Sequence, residues 1–182
     1  MRQSIIDLVE LKPGDAVLDT GCGTGTLLMT AERQLGSVGR FEGTDAAHEM
    51  TTRAQQKADQ AGLTARFRPG LIEDIDFADN EFDVAMNTLV MHHLPDEEKE
   101  KGIQEMYRVL KPNGRIIIVD IEASDGGFFQ RTIDFAVLFH GGPERNKNRI
   151  QALLPMLESA GFKKIEVGKV NRQMGYVKAE KI

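Results

Sequence analysis

A single cysteine, Cys22, stands in a chain of 182 residues. An intramolecular disulfide is therefore excluded, and a cysteine-rich zinc site with it. No apolar run reaches the ~18 residues that a membrane-crossing helix needs. The opening MRQSIIDLVELKPGD lacks a signal core followed by a small-residue cleavage site. Internal repeats, low-complexity stretches and Ser/Pro-rich linkers are missing as well. These absences lead to the expectation of a soluble cytoplasmic protein in a reducing compartment. A general basic excess is also missing. The formal net charge is −5, which argues against nucleic acid as a partner over the whole surface.

What is present is globular. Hydrophobic residues make up 41% and charged residues 28% of the chain, which excludes a disordered chain. The length suits one domain spanning 1–182, burying roughly 70% of the extended chain's surface without a metal or disulfide. The charge is uneven. Up to Gly127 there are 13 Lys+Arg against 23 Asp+Glu, and from Phe128 onward 10 against 5. Two solvated faces of one domain explain this, and so does a C-terminal third that meets an anionic substrate.

Strand-like and helix-like segments alternate. Residues up to Val9 close a short amphipathic helix, and AVLD (16–19) is a buried strand. Helices are expected at Thr26 to Leu35, Glu49 to Ala61 with Gly62 as C-cap, and Asp96 to Leu110. Strands are expected at RFEGTD (40–45), ARFRPG (65–70), Phe82 to Asn87 and RIIIVD (115–120), the last after a tight turn at Pro112-Asn113-Gly114. The alternation breaks after Asp120. A helical apolar pattern runs from Phe128 to His140, a helix from Ile150 to Ala160, and two β-rich runs (163–170 and 174–182) are a hairpin's distance apart. The fold class is α/β: a doubly wound, mostly parallel seven-stranded sheet with a C-terminal antiparallel hairpin. In such sheets a ligand sits beyond the carboxyl ends of the strands.

Chemistry is expected first at VLDTGCGTG, Val17 to Gly25. Glycines at 21, 23 and 25 follow a strand and an acid. They let a ligand approach the backbone, and the helix that follows offers unpaired N–H groups. The dinucleotide fingerprint G-x-G-x-x-G fails in both registers, since its third glycine would fall on Thr26 or Leu28. D-x-G-x-G-x-G is a different nucleotide loop, and a nicotinamide oxidoreductase is disfavoured. Asp45 ends the next strand, at a spacing suited to ribose hydroxyls. It is also placed to cap the helix that follows.

These motifs, with Met50 after GTD, then EDIDFADNEFDVAMNTLVMHHLPDEEK and YRVLKPNGRIIIVD, resemble the class I S-adenosylmethionine-dependent methyltransferases. The likeness is to the ubiquinone/menaquinone-methyltransferase-like small-molecule group. It runs from about Val9 to Asp120 and resumes weakly from Leu153 to Ile182. It implies the Rossmann-like methyltransferase fold, S-adenosyl-L-methionine as cofactor and S-adenosyl-L-homocysteine as product. By this resemblance Asp19 and the backbone at Gly21, Cys22 and Gly23 hold the methionyl end. Asp45 holds the ribose, and Ala46 and Met50 lie beside the adenosine. Leu71, Ile72 and Glu73 flank the adenine, and Asn87 begins the floor near the sulfonium. Leu71 stands where relatives often carry an Asp for the adenine amino group. That contact is then lost, taken by water, or supplied by Glu73 or Asp74, while the Ile72 N–H still serves the ring.

The resemblance implies methyl transfer to an acceptor, a small molecule first. RNA or protein acceptors, and a non-catalytic accessory protein that binds the cofactor, are the alternatives. A base is needed only where the acceptor arrives protonated. His92, His93 and His140 are the candidates, with a capping role at the Asp96 helix as the structural alternative for one of the first two. No metal site is expected. The segment 123–149 is the candidate substrate cap, with Phe128, Phe129, Ile133, Val137 and Phe139 as an apolar stripe and Arg145, Lys147 and Arg149 behind it. The short stretch before the first strand leaves the pocket either open or closed by a second subunit in a homodimer.

Overall fold

The computed structural model describes residues 2–36, 38–122 and 150–182. The chain begins with helix α1 (Arg2–Val9), whose Ile5, Ile6 and Val9 face inward. Strand β1 (Ala16–Thr20) leads to α2 (Thr26–Leu35), β2 (Arg40–Asp45), α3 (His48–Gln60) and β3 (Arg66–Pro69). Next come β4 (Phe82–Thr88), a 3-10 turn at Met91–His93, α4 (Asp96–Val109) and β5 (Leu110–Ile121). After the undescribed residues follow a 3-10 turn at Ile150–Leu153, helix α5 (Leu154–Ala160), β6 (Lys163–Lys169) and β7 (Met174–Glu180).

The strands form one sheet in the order β3-β2-β1-β4-β5-β7-β6. The pairs among β1 to β5 are parallel, while β7 runs antiparallel to both β5 and β6. This is the expected mixed sheet with its C-terminal hairpin. β1 is buried along its whole length because both faces are covered. Leu18, Ala85, Ile116 and Ile118 pack on the face that carries α4 and α5. Val17, Val84, Met86, Ile117 and Val119 pack on the opposite face against Ile5, Ile6, Leu28 and Ala31 of α1 and α2. The chain order reverses between β1 and β4, so the crevice for a ligand lies above their carboxyl ends.

Two elements differ from expectation. The Pro112-Asn113-Gly114 turn lies within β5, which starts at Leu110 opposite Phe82. Asn113 takes a φ of 64°, and its N–H donates to the Lys181 carbonyl while the Lys181 N–H donates to Gly114. The turn residues are thus held as an irregularity in a paired strand. The helix expected from Ile150 is also divided: a 3-10 turn precedes α5, which carries Pro155 in its first turn. Proline has no N–H to continue the ladder backwards. The helical pattern 128–140, the candidate cap 123–149 and His140 lie outside the described residues.

Candidate functional site

A cavity of about 630 Å³ opens above the carboxyl ends of β1, β2 and β4. Its wall is built from the glycine loop after β1, the segment Asp45–Ala47, Met50 of α3, residues 70–73 after β3, and residues 88–90 after β4. His93, Leu94 and Glu98 complete it on the α4 side. Of the residues singled out from sequence, Gly21, Cys22, Gly23, Asp45, Ala46, Met50, Leu71, Ile72, Glu73 and His93 are brought together on this wall. Asp19, Asn87 and His92 stand behind it.

The glycine loop is shaped by its missing side chains. Gly21 has a φ of 70°, and a Cβ there would lie 2.2 Å from Val90 Cγ2. Gly25 has the same φ, and its Cβ would lie 2.5 Å from the Phe67 ring. Only glycine tolerates both the left-handed backbone and the contact. Two hydrogen bonds tie the loop to the end of β2. The Cys22 N–H donates to the Thr44 carbonyl at 2.9 Å, and the Gly23 N–H donates to Asp45 Oδ2 at 2.8 Å. Those two N–H groups are therefore spent inside the protein. Asp45 Oδ1 accepts from the Ala47 N–H at 2.9 Å. A carboxylate has about four lone-pair sites, so two remain for hydroxyls in the cavity.

Asp19 lies beneath the loop, 2% exposed, and no side-chain hydrogen bond from a described residue reaches its carboxylate. Burial first, and the Asp45 charge second, push its pKa up to about 8. Such a carboxyl favours a cationic partner. Cys22 is also pushed well above the ordinary thiol range, chiefly by burial. It is a protonated thiol here and no nucleophile.

Asn87 is fully buried. Its amide donates to the Thr20 carbonyl at 2.9 Å and to Thr20 Oγ1 at 3.1 Å, while its own Oδ1 has no partner. It braces β4 against β1, and the cavity floor is instead Thr88, Leu89 and Val90. Leu89 has a φ of 61°, a rare value for a bulky side chain, and such strain gathers at functional sites.

The N-cap of α4 is Pro95, whose side chain makes no cap hydrogen bond. His92 Nδ1 lies 2.6 Å from Asp120 Oδ1, and the His92 N–H donates to Asp120 Oδ2 at 3.0 Å. The His93 ring lies against His92, with centroids 3.8 Å apart and planes tilted by 43°. Burial first, then His92, lowers the His93 pKa, so its ring is neutral near pH 7. The sequence places Asp120 at a strand end facing the crevice, but it does not show the contact with His92, which joins the end of β5 to a turn 28 residues earlier. Sequence reasoning missed Gly70, Ala47, Leu94 and Glu98, which carry no motif. Among the described residues no cluster of three or more His, Cys, Asp or Glu could hold a metal ion.

A glycine-cradled crevice at the switch point of a doubly wound sheet, with an acid at each of the first two strand ends, defines a nucleoside-binding site of the Rossmann-like kind. A family model described as "Methyltransferase domain" matches residues 17–114, and the chain belongs to that family. It is 36% identical over 124 residues to a demethylmenaquinone methyltransferase of Desulfitobacterium hafniense, covering 66% of this chain and 47% of that protein. It is 32% identical over 119 residues to a ubiquinone/menaquinone biosynthesis C-methyltransferase of Bdellovibrio bacteriovorus, covering 65% and 49%. The chain thus spans about half the length of these relatives. Its fold is that of the crystal structure of a SAM-dependent methyltransferase from Aquifex aeolicus (TM-score 0.80, 23% identity), which covers 100% of this chain and 89% of that one.

Proposed function

We propose that this protein transfers a methyl group from S-adenosyl-L-methionine to a small, ring-bearing acceptor of the quinol class. The observation that carries the reading is the pairing of Asp19 with the glycine loop. A buried carboxyl that no described side chain hydrogen-bonds lies under a loop whose Cys22 and Gly23 N–H groups are already spent. That arrangement suits the ammonium of a methionyl group better than a phosphate. Asp45 would hold the ribose hydroxyls, with Ala46 and Met50 beside the sugar and base. Leu71, the Ile72 N–H and Glu73 would flank the adenine, and Thr88 to Val90 would lie below the sulfur.

When bound, the cofactor supplies a methyl carbon already activated by a sulfonium, so the protein's part is alignment and exclusion of water. Leu89, Val90 and Leu94 give the acceptor end an apolar wall, which suits a quinol ring. The names of the relatives favour the same class. Among the described residues no helix is long and apolar enough to cross a membrane, and with one cysteine the reading places the protein in the reducing cytoplasm. The test uses methyl-labelled cofactor with reduced 1,4-naphthalenediol, a phenol, a carboxylate and an amine. Label should pass to the diol. Transfer to the amine alone would overturn the acceptor class, and transfer to none would overturn the activity.

A further inference from the structure

We propose that His93 is a catalytic base for this reaction, and that Asp120 and His92 are the positioning residues that aim it. The inference rests on the methyl-transfer reading above and adds what the acceptor must carry: an acidic ring hydroxyl.

The argument begins at the end of β5. Asp120 is 3% exposed and uses both oxygens. Oδ2 accepts the His92 N–H, and Oδ1 receives the Ile121 N–H and faces His92 Nδ1. The carboxylate thereby fixes the backbone of the Met91–His93 turn and the plane of the His92 ring. A second imidazole lies against that ring, its plane tilted by 43°. His93 is the one that reaches the cavity wall, next to Leu94 and on the side of Leu89. Of the charged groups among the described residues, Asp120 favours the protonated form of His93 and His92 disfavours it, while Glu98 of α4, Glu73 after β3, Asp45 of β2 and Cys22 line the same cavity. A neutral imidazole in that surround accepts a proton, and the buried Asp120 carboxylate then offsets the positive charge it gains.

The step balances without any outside reagent. The O–H bond of the reduced ring breaks and its proton goes to an imidazole nitrogen of His93. The freed electron pair moves into the ring, and the neighbouring carbon forms a bond to the methyl carbon. The carbon–sulfur bond breaks, and its pair stays on sulfur and cancels the sulfonium charge. The methylated carbon then loses its hydrogen as a proton while the oxygen regains one from His93. One proton is released overall.

The test compares wild type, His93→Ala, His93→Gln, His92→Asn and Asp120→Asn on reduced 1,4-naphthalenediol. Turnover is read as kcat against pH, and S-adenosylhomocysteine affinity is measured alongside. General-base loss is worth roughly 10²–10⁴-fold. Both His93 variants should therefore lose at least 100-fold in kcat, keep their homocysteine-product affinity within about threefold, and regain turnover when free imidazole is added to His93→Ala. His92→Asn, which can still donate to Asp120, should retain more activity than Asp120→Asn, and Asp120→Asn should move the acid limb of the profile. Wild-type transfer with an unchanged profile in His93→Ala overturns this inference alone. So does a loss of product affinity without imidazole rescue, which marks a structural residue. A wild type that transfers nothing overturns this inference together with the reading it rests on.

Discussion

Asp19 couples the site to pH. Its carboxyl titrates near 8 in the folded protein because burial, and Asp45 after it, disfavour the charge. In the unfolded chain it titrates near its ordinary ~4. Between those values the folded state holds a proton that the unfolded state has lost, so this group's contribution to stability falls as pH rises from about 4 to about 8. Asp19→Asn keeps the shape and removes the titration. The variant without ligand should therefore melt higher than wild type at pH 8 and the same at pH 4, and it should bind S-adenosylhomocysteine more weakly. The cofactor's ammonium reverses the burden, since a cation beside the carboxyl lowers its pKa. Binding near pH 7 should release a proton. Calorimetry in two buffers of different ionisation enthalpy should then give different apparent enthalpies, and identical ones would remove Asp19 from the contact. The acid itself was legible in the sequence as the D of D-x-G-x-G-x-G. Its raised pKa was not, because that depends on the burial of β1 from both sides.

At the scale of elements, one buried side chain joins two of them. Glu32 of α2 is 1% exposed. It accepts from the Thr64 N–H at 2.6 Å, the Thr64 hydroxyl at 2.8 Å and the Ala65 N–H at 3.0 Å, just before β3. These donors have no other strand to pair with at that point. Glu32→Ala would leave the buried Ala65 N–H without its partner, at roughly 1–3 kcal/mol, while the exposed Thr64 donors can turn to water. A loss of about 2 kcal/mol is expected in urea unfolding, with a smaller loss for Glu32→Gln. The slope of the transition should not change. Because the clamp sits at the far end of α2 from the glycine loop, product affinity should stay close to wild type. A midpoint unmoved by Glu32→Ala would show that the loop before β3 is held by its apolar contacts instead. Local patterns had outlined α2 and β2 to the residue, since each has its own period and its own glycine boundary. They misplaced the start of β5, because pairing of Leu110 with Phe82 and of Asn113 with Lys181 is a long-range matter that overrides the turn signal of Pro-Asn-Gly. The clamp by Glu32 and the contact between His92 and Asp120 were illegible for the same reason.

For the whole molecule, the two apolar layers meet across a sheet whose switch point lies at β1 and β4, and the ligand bridges elements from both halves. Asp45 of β2, Met50 of α3, Ile72 after β3 and Leu89 after β4 all face one cavity. A ligand seated there binds only the assembled fold, so it stabilises by mass action, by about 2.7 kcal/mol at 100 times its dissociation constant. For a chain of this length that corresponds to roughly 5 °C or more in melting temperature. S-adenosylhomocysteine should produce the shift, and NADH at the same concentration should not. The difference lies in the hydrogen-bond donors. A dinucleotide needs its pyrophosphate laid on free N–H groups at the opening of the first helix, and here the Cys22 and Gly23 N–H groups are turned to Thr44 and Asp45. The Gly25 N–H is spent on the Cys22 carbonyl. A second comparison separates charge from shape. The shift by S-adenosylhomocysteine should change little between low salt and about 0.5 M salt, because its carboxylate partner is buried and poorly screened. A shift that appears with NADH, or one that vanishes in salt, would mean that the loop opens to phosphate and that the nucleoside reading of the cavity is wrong.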